Sequence, residues 1–240
     1  MIHNFQSETG TVIPAITTEQ MRKVDYLALE KYGPNLFQMM ENAGRNLATL
    51  TKKNLGRNWR KANIIILAGT GGNGGGGICA GRHLANHGGN VQLVITDKGR
   101  VDGVPERQRL IFSATSGRET SMHDVRSADI ILDAIVGYSI KGAVSGEAGQ
   151  LIDWANDSAA PKLSLDVPSG FDSTTGTAAG HFIRATATLT LALPKTGLAP
   201  KNTGELYLGD IGIPSAVYEE LELSFSSPFE MDHITKITPL

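Results

Sequence analysis

A run of glycines follows a short apolar segment in the first third of the sequence. Seven of the nine residues from Gly69 to Gly77 are glycine, the exceptions being Thr70 and Asn73, and the segment NIIILA (63–68) precedes them. Glycine lacks a Cβ atom, so its backbone N–H groups can approach a ligand closely. The positive N-terminal end of a following helix favours phosphate. A tight strand-to-helix turn would need only one or two glycines, so the run predicts a phosphate-binding loop.

The same run contains a literal G-x-G-x-x-G pattern at Gly69, Gly71 and Gly74, and Asp97 ends the next apolar segment. An acidic residue about 20 positions after this pattern holds a ribose hydroxyl in dinucleotide-binding folds. An NAD-dependent oxidoreductase is therefore one interpretation. A P-loop is excluded because neither Lys-Ser nor Lys-Thr follows these glycines.

Polar side chains also follow three other apolar segments. Asp133 comes directly after IIL, with Lys141 eight residues later; Asp166 and Ser169 lie in LDVPSG; and Lys195 follows LTLALP. Ligands of open parallel sheets bind beyond the carboxyl ends of the strands, where such residues would meet. Three of these residues also have an interpretation that involves no function. Asp133 could cap a loop, Lys141 could be solvated, and Lys195 could lie at an exposed strand end.

The elements that must position these residues alternate after Lys61. Apolar runs predict strands at 63–68, 90–96, 129–137, 161–170, 185–193 and 204–212, and helical patterns lie at 104–115 and 146–156. Two helices precede them. The first has a capping box at Thr17 and Gln20, and the second contains Gly44, which predicts close packing of another backbone. This order indicates an α/β fold with a mostly parallel sheet in a single domain, residues 1–240, with its core at about 18–221 and a loosely held tail.

The composition argues against several classes of protein, including those that bind nucleic acids or membranes. A net charge of -2 with scattered Lys and Arg gives no sign of nucleic acid or membrane binding. The single cysteine, Cys79, excludes an internal disulfide and favours a reducing compartment. His83 and His87 have helical spacing but no third metal ligand is indicated, so surface positions are predicted for both. The first 16 residues lack Lys and Arg, unlike a targeting peptide, so we expect a cytoplasmic protein.

Six motifs in order carry a family resemblance: MMENAGR, GTGGNGGGG…AGRHL, DIILDAIVGYSIKG, LDVPSGFDSTTG, TLTLALPKTG and GDIGIP. Between Thr18 and Pro214 the chain resembles the NAD(P)H-hydrate epimerase family, the YjeF N-terminal domain. The resemblance implies a Rossmann-like three-layer αβα sandwich with a mostly parallel central sheet and N-terminal helices. It also implies interconversion of the R and S epimers of hydrated NADH and NADPH, nicotinamide nucleotides that need repair. A separate ADP- or ATP-dependent dehydratase then restores the S form. Potassium binding and a homodimer are further implications.

The resemblance also implies site residues. Potassium would be held by Asn73, Asp133 and Ser169, whose oxygen donors suit a hard cation. The implied substrate-binding residues are Gly72, Asn73, Gly74, Gly75, Gly76, Gly137, Tyr138, Ser139, Ile140, Lys141, Gly142, Ala143 and Asp166. The substrate is a carbinolamine, whose nitrogen can expel a protonated hydroxyl before water returns to the other face. Asp133 is the predicted proton carrier, and Lys141 is its predicted electrostatic helper.

The glycine run departs from the usual family pattern G-P-G-N-N-G-G-D-G. Thr70, Gly72 and Gly76 stand at the Pro, first Asn and Asp positions, whereas Asn73 is retained. A non-catalytic nucleotide-binding or scaffold module of the same fold is therefore an alternative to the enzyme. The oxidoreductase is the second alternative, although a long helical segment precedes its glycine pattern.

Overall fold

The computed structural model describes residues 2–125 and 127–240. One ten-stranded sheet forms its centre, in the order β2-β1-β10-β9-β8-β7-β6-β3-β4-β5. The strands are β1 (Asn4–Ser7), β2 (Val12–Pro14), β3 (Asn63–Ala68), β4 (Asn90–Ile95), β5 (Arg118–Glu119), β6 (Ile130–Ala134), β7 (Lys162–Leu165), β8 (Ala187–Leu191), β9 (Glu205–Gly209) and β10 (Ile234–Pro239).

The sheet is parallel from β5 to β9, and β9, β10, β1 and β2 pair antiparallel. The mostly parallel sheet predicted from the sequence is confirmed. Strand β3 pairs with β4 on one side and β6 on the other, so the chain reverses its direction of winding between β3 and β6. Such a switch point opens a crevice at the carboxyl ends of the two strands.

Apolar side chains of β3 alternate between two cores because successive residues of a strand point to opposite faces. Ile64 and Ile66 join one buried cluster with Leu47 and Phe112, and Ile65 joins another. The helices on the two faces are α1 (Thr18–Leu27), α2 (Leu36–Leu55), α3 (Gly72–Asn86), α4 (Gly103–Ser113), α5 (Gly146–Asp157), α6 (Pro200–Thr203) and α7 (Ser215–Glu220). The layers are those of an αβα sandwich.

Local sequence signals account for the first two helices. The capping box predicted at Thr17 and Gln20 is present, and α2 has a second one at Asn35 and Gln38. A Cβ atom at Gly44 would lie 2.5 Å from the Cys79 side chain, which confirms the predicted close packing between α2 and α3.

The sheet is wider than the sequence predicted. Residues 4–14 form a hairpin, and Phe5 of β1 pairs with Pro239 of β10, which in turn pairs with β9. The prediction of a loosely held tail after Leu221 is therefore wrong for β10, and the core is not limited to 18–221. These short strands carry no recognisable period by themselves, since their pairing is formed between the two ends of the chain.

Candidate active site

A cavity of about 500 Å³ lies at the switch point, between the residues that follow β3 and those that follow β6. Its apolar wall comes from α1 and α2, including Met21, Met39 and Met40. Its polar lining includes Asp25, Asn73, Tyr138, Asp166 and Lys195. This combination of an apolar wall and a few converging polar groups is typical of a small-molecule site.

Asp166 and Lys195 form a buried ion pair in this cavity. The Lys195 Nζ atom donates to Asp166 Oδ1 at 2.5 Å and to the Leu191 carbonyl at 2.9 Å. The lysine is fully buried, which contradicts the alternative of an exposed strand end. Asp166 has a φ of 68°, a left-handed conformation that is uncommon outside glycine and marks a constrained position. The fold thus holds a carboxylate and an ammonium group together in the wall of the cavity.

Tyr138 connects this ion pair to α1. Its backbone N–H donates to Asp166 Oδ2 at 2.8 Å, and its hydroxyl donates to Asp25 Oδ2 at 2.5 Å. Burial raises the pKa of Asp25, although the hydrogen bond from Tyr138 acts in the opposite direction. Burial and the neighbouring Asp25 carboxylate raise the pKa of Tyr138. A single tyrosine therefore joins two carboxylates of the cavity.

Most of the glycine run belongs to α3 and not to a loop. The helix begins at Gly72, and Gly74 and Gly75 do not line the cavity. A Cβ atom at Gly74 would lie 1.9 Å from the Gly69 carbonyl oxygen, and one at Gly77 would lie 2.5 Å from the Ala134 Cβ atom. Close packing explains Gly74 and Gly77, for which the sequence alone predicts a phosphate-binding role.

The N-terminal end of α3 nevertheless faces the cavity. Gly71, Gly72, Asn73 and Gly76 line it, and a Cβ atom at Gly71 or Gly72 would meet no atom within 4 Å. Backbone N–H groups at a helix start have no partners within the helix and attract anions. This end of the helix can therefore hold a phosphate group without a side chain at Gly72 or Gly76.

Asp133 does not line the cavity. It is fully buried in β6, where Ser164 Oγ donates to Oδ2 at 2.7 Å and Ser169 Oγ donates to Oδ1 at 2.5 Å. The backbone N–H groups of Ser169 and Ile135 complete its partners. A proton carrier must reach the reacting atoms, so this enclosure contradicts the predicted catalytic contact of Asp133.

The same enclosure leaves the charge of Asp133 unbalanced. Burial raises the pKa of this carboxyl, and its hydrogen-bond partners in the described residues are all neutral. Beside Gly137 in the cavity wall, the Asn73 Nδ2 atom is buried without a partner among the described residues. Rotating that amide would present Oδ1 instead, because the two orientations fit a similar shape. Carboxylate, hydroxyl and amide oxygens at Asp133, Ser169 and Asn73 suit a hard cation such as potassium.

The predicted loop 137–143 divides into two parts. Gly137, Tyr138 and Ser139 line the cavity, whereas Ile140, Lys141, Gly142 and Ala143 do not. Lys141 is exposed at the surface, so it does not reach Asp133 as an electrostatic helper. The basic group at the site is Lys195.

Two other sequence features have structural explanations. The Asp97 side chain accepts from the Gly99 N–H at 3.1 Å and lies outside the cavity lining, so the ribose contact expected of an oxidoreductase is missing there. His83 contacts Glu41 at 2.8 Å, beside Cys79 and Arg82, so it is partly buried and not a surface residue. His87 is exposed, as predicted.

Asp25 is the site residue that the sequence analysis missed. It lies four positions after Met21, and both side chains face the cavity from α1. A carboxylate on the apolar face of an amphipathic helix was the available signal, because charged residues normally occupy the opposite face.

Comparisons with known proteins agree with this geometry. A family model described as "YjeF-related protein N-terminus" matches residues 36–197. An NAD(P)H-hydrate epimerase of Dehalogenimonas lykanthroporepellens is 48% identical over 241 residues, covering 99% of this chain and 98% of the relative. An NAD(P)H-hydrate epimerase of Rhodopirellula baltica is 32% identical over 213 residues, covering 84% of this chain and 86% of the relative.

Two further similarities concern domain organisation and fold. A bifunctional NAD(P)H-hydrate repair enzyme of Hyperthermus butylicus is 34% identical over 213 residues, covering 83% of this chain and 38% of the relative. The crystal structure of yeast ynu0 matches 93% of this chain and 100% of its own length with a TM-score of 0.82 at 20% identity, which shows the same fold. Within residues 2–125 and 127–240, no helix combines the length and apolar character needed to span a membrane.

Proposed function

The chain belongs to the YjeF-related N-terminal family, and from this premise we propose that it is an epimerase of hydrated NADH and NADPH. The observation that carries the proposal is the buried pair of Asp166 and Lys195 in a cavity at the sheet switch point. Relatives that match nearly this whole chain bear the name NAD(P)H-hydrate epimerase. The proposed activity is that of an isomerase and consumes no redox cofactor.

The cavity accommodates the chemistry of this substrate. The reacting carbon carries a hydroxyl group next to a ring nitrogen whose lone pair can expel it once the oxygen is protonated. Asp166 lies at the cavity surface and can exchange that proton, in place of the enclosed Asp133. Lys195 fixes the position of Asp166 and balances its charge. The start of α3 would bind the phosphate groups through backbone N–H groups.

Potassium is part of the proposal. Asn73, Asp133 and Ser169 would hold the ion, because a cation would stabilise the ionised form of a buried carboxyl whose other partners are neutral. If bound, the ion would supply positive charge that balances Asp133, and Ser169 would be one of its ligands, beside the segment before Gly137, since Ser169 Oγ accepts from the Val136 N–H. Among the described residues, the side chains that hydrogen-bond to Asp133 are those of Ser164 and Ser169, and neither carries a positive charge.

We also propose the cellular role that the resemblance implies. The protein acts in the cytoplasm, where NADH and NADPH are turned over, and delivers the S epimer to a separate dehydratase. The occurrence of bifunctional repair enzymes among its relatives supports this coupling. A homodimer remains the expected assembly.

The two alternatives have weaker support. A non-catalytic module would not require the buried Asp166–Lys195 pair, whose charges are costly to bury without a use. An oxidoreductase would need the ribose contact that Asp97 does not provide. Gly76 stands where the usual family pattern has Asp, and it lines the cavity with backbone atoms only. This departure removes neither Asp166 nor Lys195 from the site.

A coupled assay tests the proposal. A mixture of R- and S-hydrated NADH is treated with an ATP-dependent dehydratase that accepts only the S form, with and without this protein. The proposed activity converts a two-phase recovery of NADH, limited by spontaneous epimerisation, into a single fast phase. A recovery that keeps its slow phase at every protein concentration contradicts the proposal. Intact NADH replaces the hydrates in the control that tests for an oxidoreductase.

A further inference from the structure

Inversion at a carbon centre requires proton exchange on both faces of the ring. The hydroxyl group leaves from one face with a proton, and water adds to the other face and loses one. Under the proposed function, on which this inference rests, Asp166 exchanges the proton on one of the two faces. A second group that exchanges protons must lie across the cavity from it, or bulk water must replace it.

Asp25 is placed for this task. It enters the cavity from α1, whereas Asp166 enters from the segment after β7. Tyr138 lies between the two carboxylates, with its backbone N–H on Asp166 at 2.8 Å and its hydroxyl on Asp25 at 2.5 Å. The two acids therefore lie at opposite ends of Tyr138, and both line the same cavity.

We propose that Asp25 is the second acid–base residue of the epimerase, acting on the ring face opposite to Asp166. In one direction the protonated carboxyl of Asp25 gives its proton to the hydroxyl oxygen, the C–O bond breaks, and the nitrogen lone pair forms a C=N bond as water leaves. Water then adds to the other face, the C=N electrons return to nitrogen, and the Asp166 carboxylate takes the released proton. The reverse conversion uses the same residues with their roles exchanged. Between turnovers in the same direction, Asp166 releases its proton to water and Asp25 takes one up from water, so atoms, charge and electrons balance over the full cycle.

The surroundings of Asp25 suit an acid that must hold a proton. Its side chain is half-buried beside the apolar wall, and this burial raises its pKa. The charged and titratable groups that interact with the Asp25–Tyr138 pair are Asp166, Lys195, Arg22 and Tyr218. The Asp25 Oδ1 atom has no hydrogen-bond partner among the described residues, so this oxygen is available to the substrate.

The decisive variant is Asp25→Asn. The amide keeps an oxygen that can accept from Tyr138 but cannot carry the proton. We expect kcat to fall by about 10²- to 10⁴-fold with KM nearly unchanged, since general acid–base catalysis contributes about that factor. Glu205→Gln is the matched control, because Glu205 also accepts from a tyrosine hydroxyl, Tyr207 at 2.8 Å, and lies outside the cavity. Activity of Asp25→Asn within threefold of the wild type overturns the proposal and assigns the second proton to water.

A second variant covers the case in which Asp25→Asn does not fold. Tyr138→Phe keeps the ring and removes only the hydroxyl that stabilises the ionised Asp25. In the direction in which Asp25 acts as the acid, we expect the alkaline limb of the kcat–pH profile to move to higher pH, because loss of that hydrogen bond raises the pKa of Asp25 and keeps it protonated. An unmoved alkaline limb in folded Tyr138→Phe overturns the proposal. An inactive wild type would instead refute the epimerase function itself, so the two failures are distinguishable.

Discussion

The Lys195 Nζ atom lies 2.5 Å from Asp166 Oδ1, and both side chains are buried at the carboxyl ends of β7 and β8. The two residues are 29 positions apart, and the parallel pairing of β7 with β8 brings them together. A lysine that the sequence alone allows to be solvated is thereby fixed next to a carboxylate. This pair is the basis of the proposed site and of the first prediction.

Removal of Lys195 alone should destabilise the protein strongly. Lys195→Met leaves Asp166 as a buried charge without its partner, which costs about 3–5 kcal/mol. Denaturant unfolding measures this loss as a lower free energy of unfolding. The double variant with Asp166→Asn should regain most of it, because both charges are then absent. Equal stability of the single and double variants would show that the ion pair does not account for the loss.

Potassium should stabilise the wild type through Asp133. We expect a higher thermal midpoint in potassium chloride than in an equal concentration of choline chloride, since a ligand of the native state stabilises it. Asp133→Asn should abolish this difference because it removes the buried negative charge. Asp232→Asn is the control, as that carboxylate is exposed and pairs with Lys53 at the surface. A potassium effect that persists in Asp133→Asn would place the ion elsewhere.

The glycines of α3 should differ in their tolerance of alanine. Gly77→Ala places a Cβ atom 2.5 Å from the Ala134 Cβ atom, and overpacking of this kind costs about 1–3 kcal/mol. Gly72→Ala, with no atom within 4 Å of the new Cβ, should change the free energy of unfolding by less than about 0.5 kcal/mol. Similar stabilities of the two variants would contradict the packing explanation of the glycine run.

The Glu41 cluster should make stability depend on acid pH. Burial alone would raise the pKa of Glu41, but hydrogen bonds from Arg82, Cys79 and His83 outweigh it and lower the pKa to about 2 from 4.5. Because the folded state holds the proton more weakly than the unfolded state, this contribution is present above pH 4.5 and is lost as the pH falls toward 2.

Glu41→Gln tests that dependence. We expect the variant to be less stable than the wild type by about 2 kcal/mol at neutral pH, the size of a hydrogen bond to a charged group. The unfolding free energies of the variant and the wild type should converge as the pH is lowered from 4.5 toward 2. A difference that stays constant down to pH 2 would show that the charge of Glu41 contributes nothing.

The parallel sheet could be predicted from sequence because its buried strands are continuous apolar runs such as residues 63–68. The outer strands could not be predicted, since β1 and β10 form only when the two chain ends meet. The same limit applies to the site. Polar residues at strand ends identified Asp166, but burial of Lys195 and enclosure of Asp133 depend on neighbours brought by other strands. Asp25 required knowledge of which face of α1 meets the cavity.

The most direct test of Asp166 as the proton-exchanging residue of an epimerase starts from a single pure epimer. R-hydrated NADH is incubated with the wild type or with Asp166→Asn, and the appearance of the S epimer is followed by chromatography. Asparagine tolerates the left-handed conformation at this position and keeps an oxygen that can accept from Lys195, and the rates are compared only after a thermal unfolding transition shows that the variant is folded. We predict rapid conversion by the wild type and a rate lower by about 10²- to 10⁴-fold for the variant. Conversion by the wild type no faster than in buffer, or an equally active Asp166→Asn, would contradict the account.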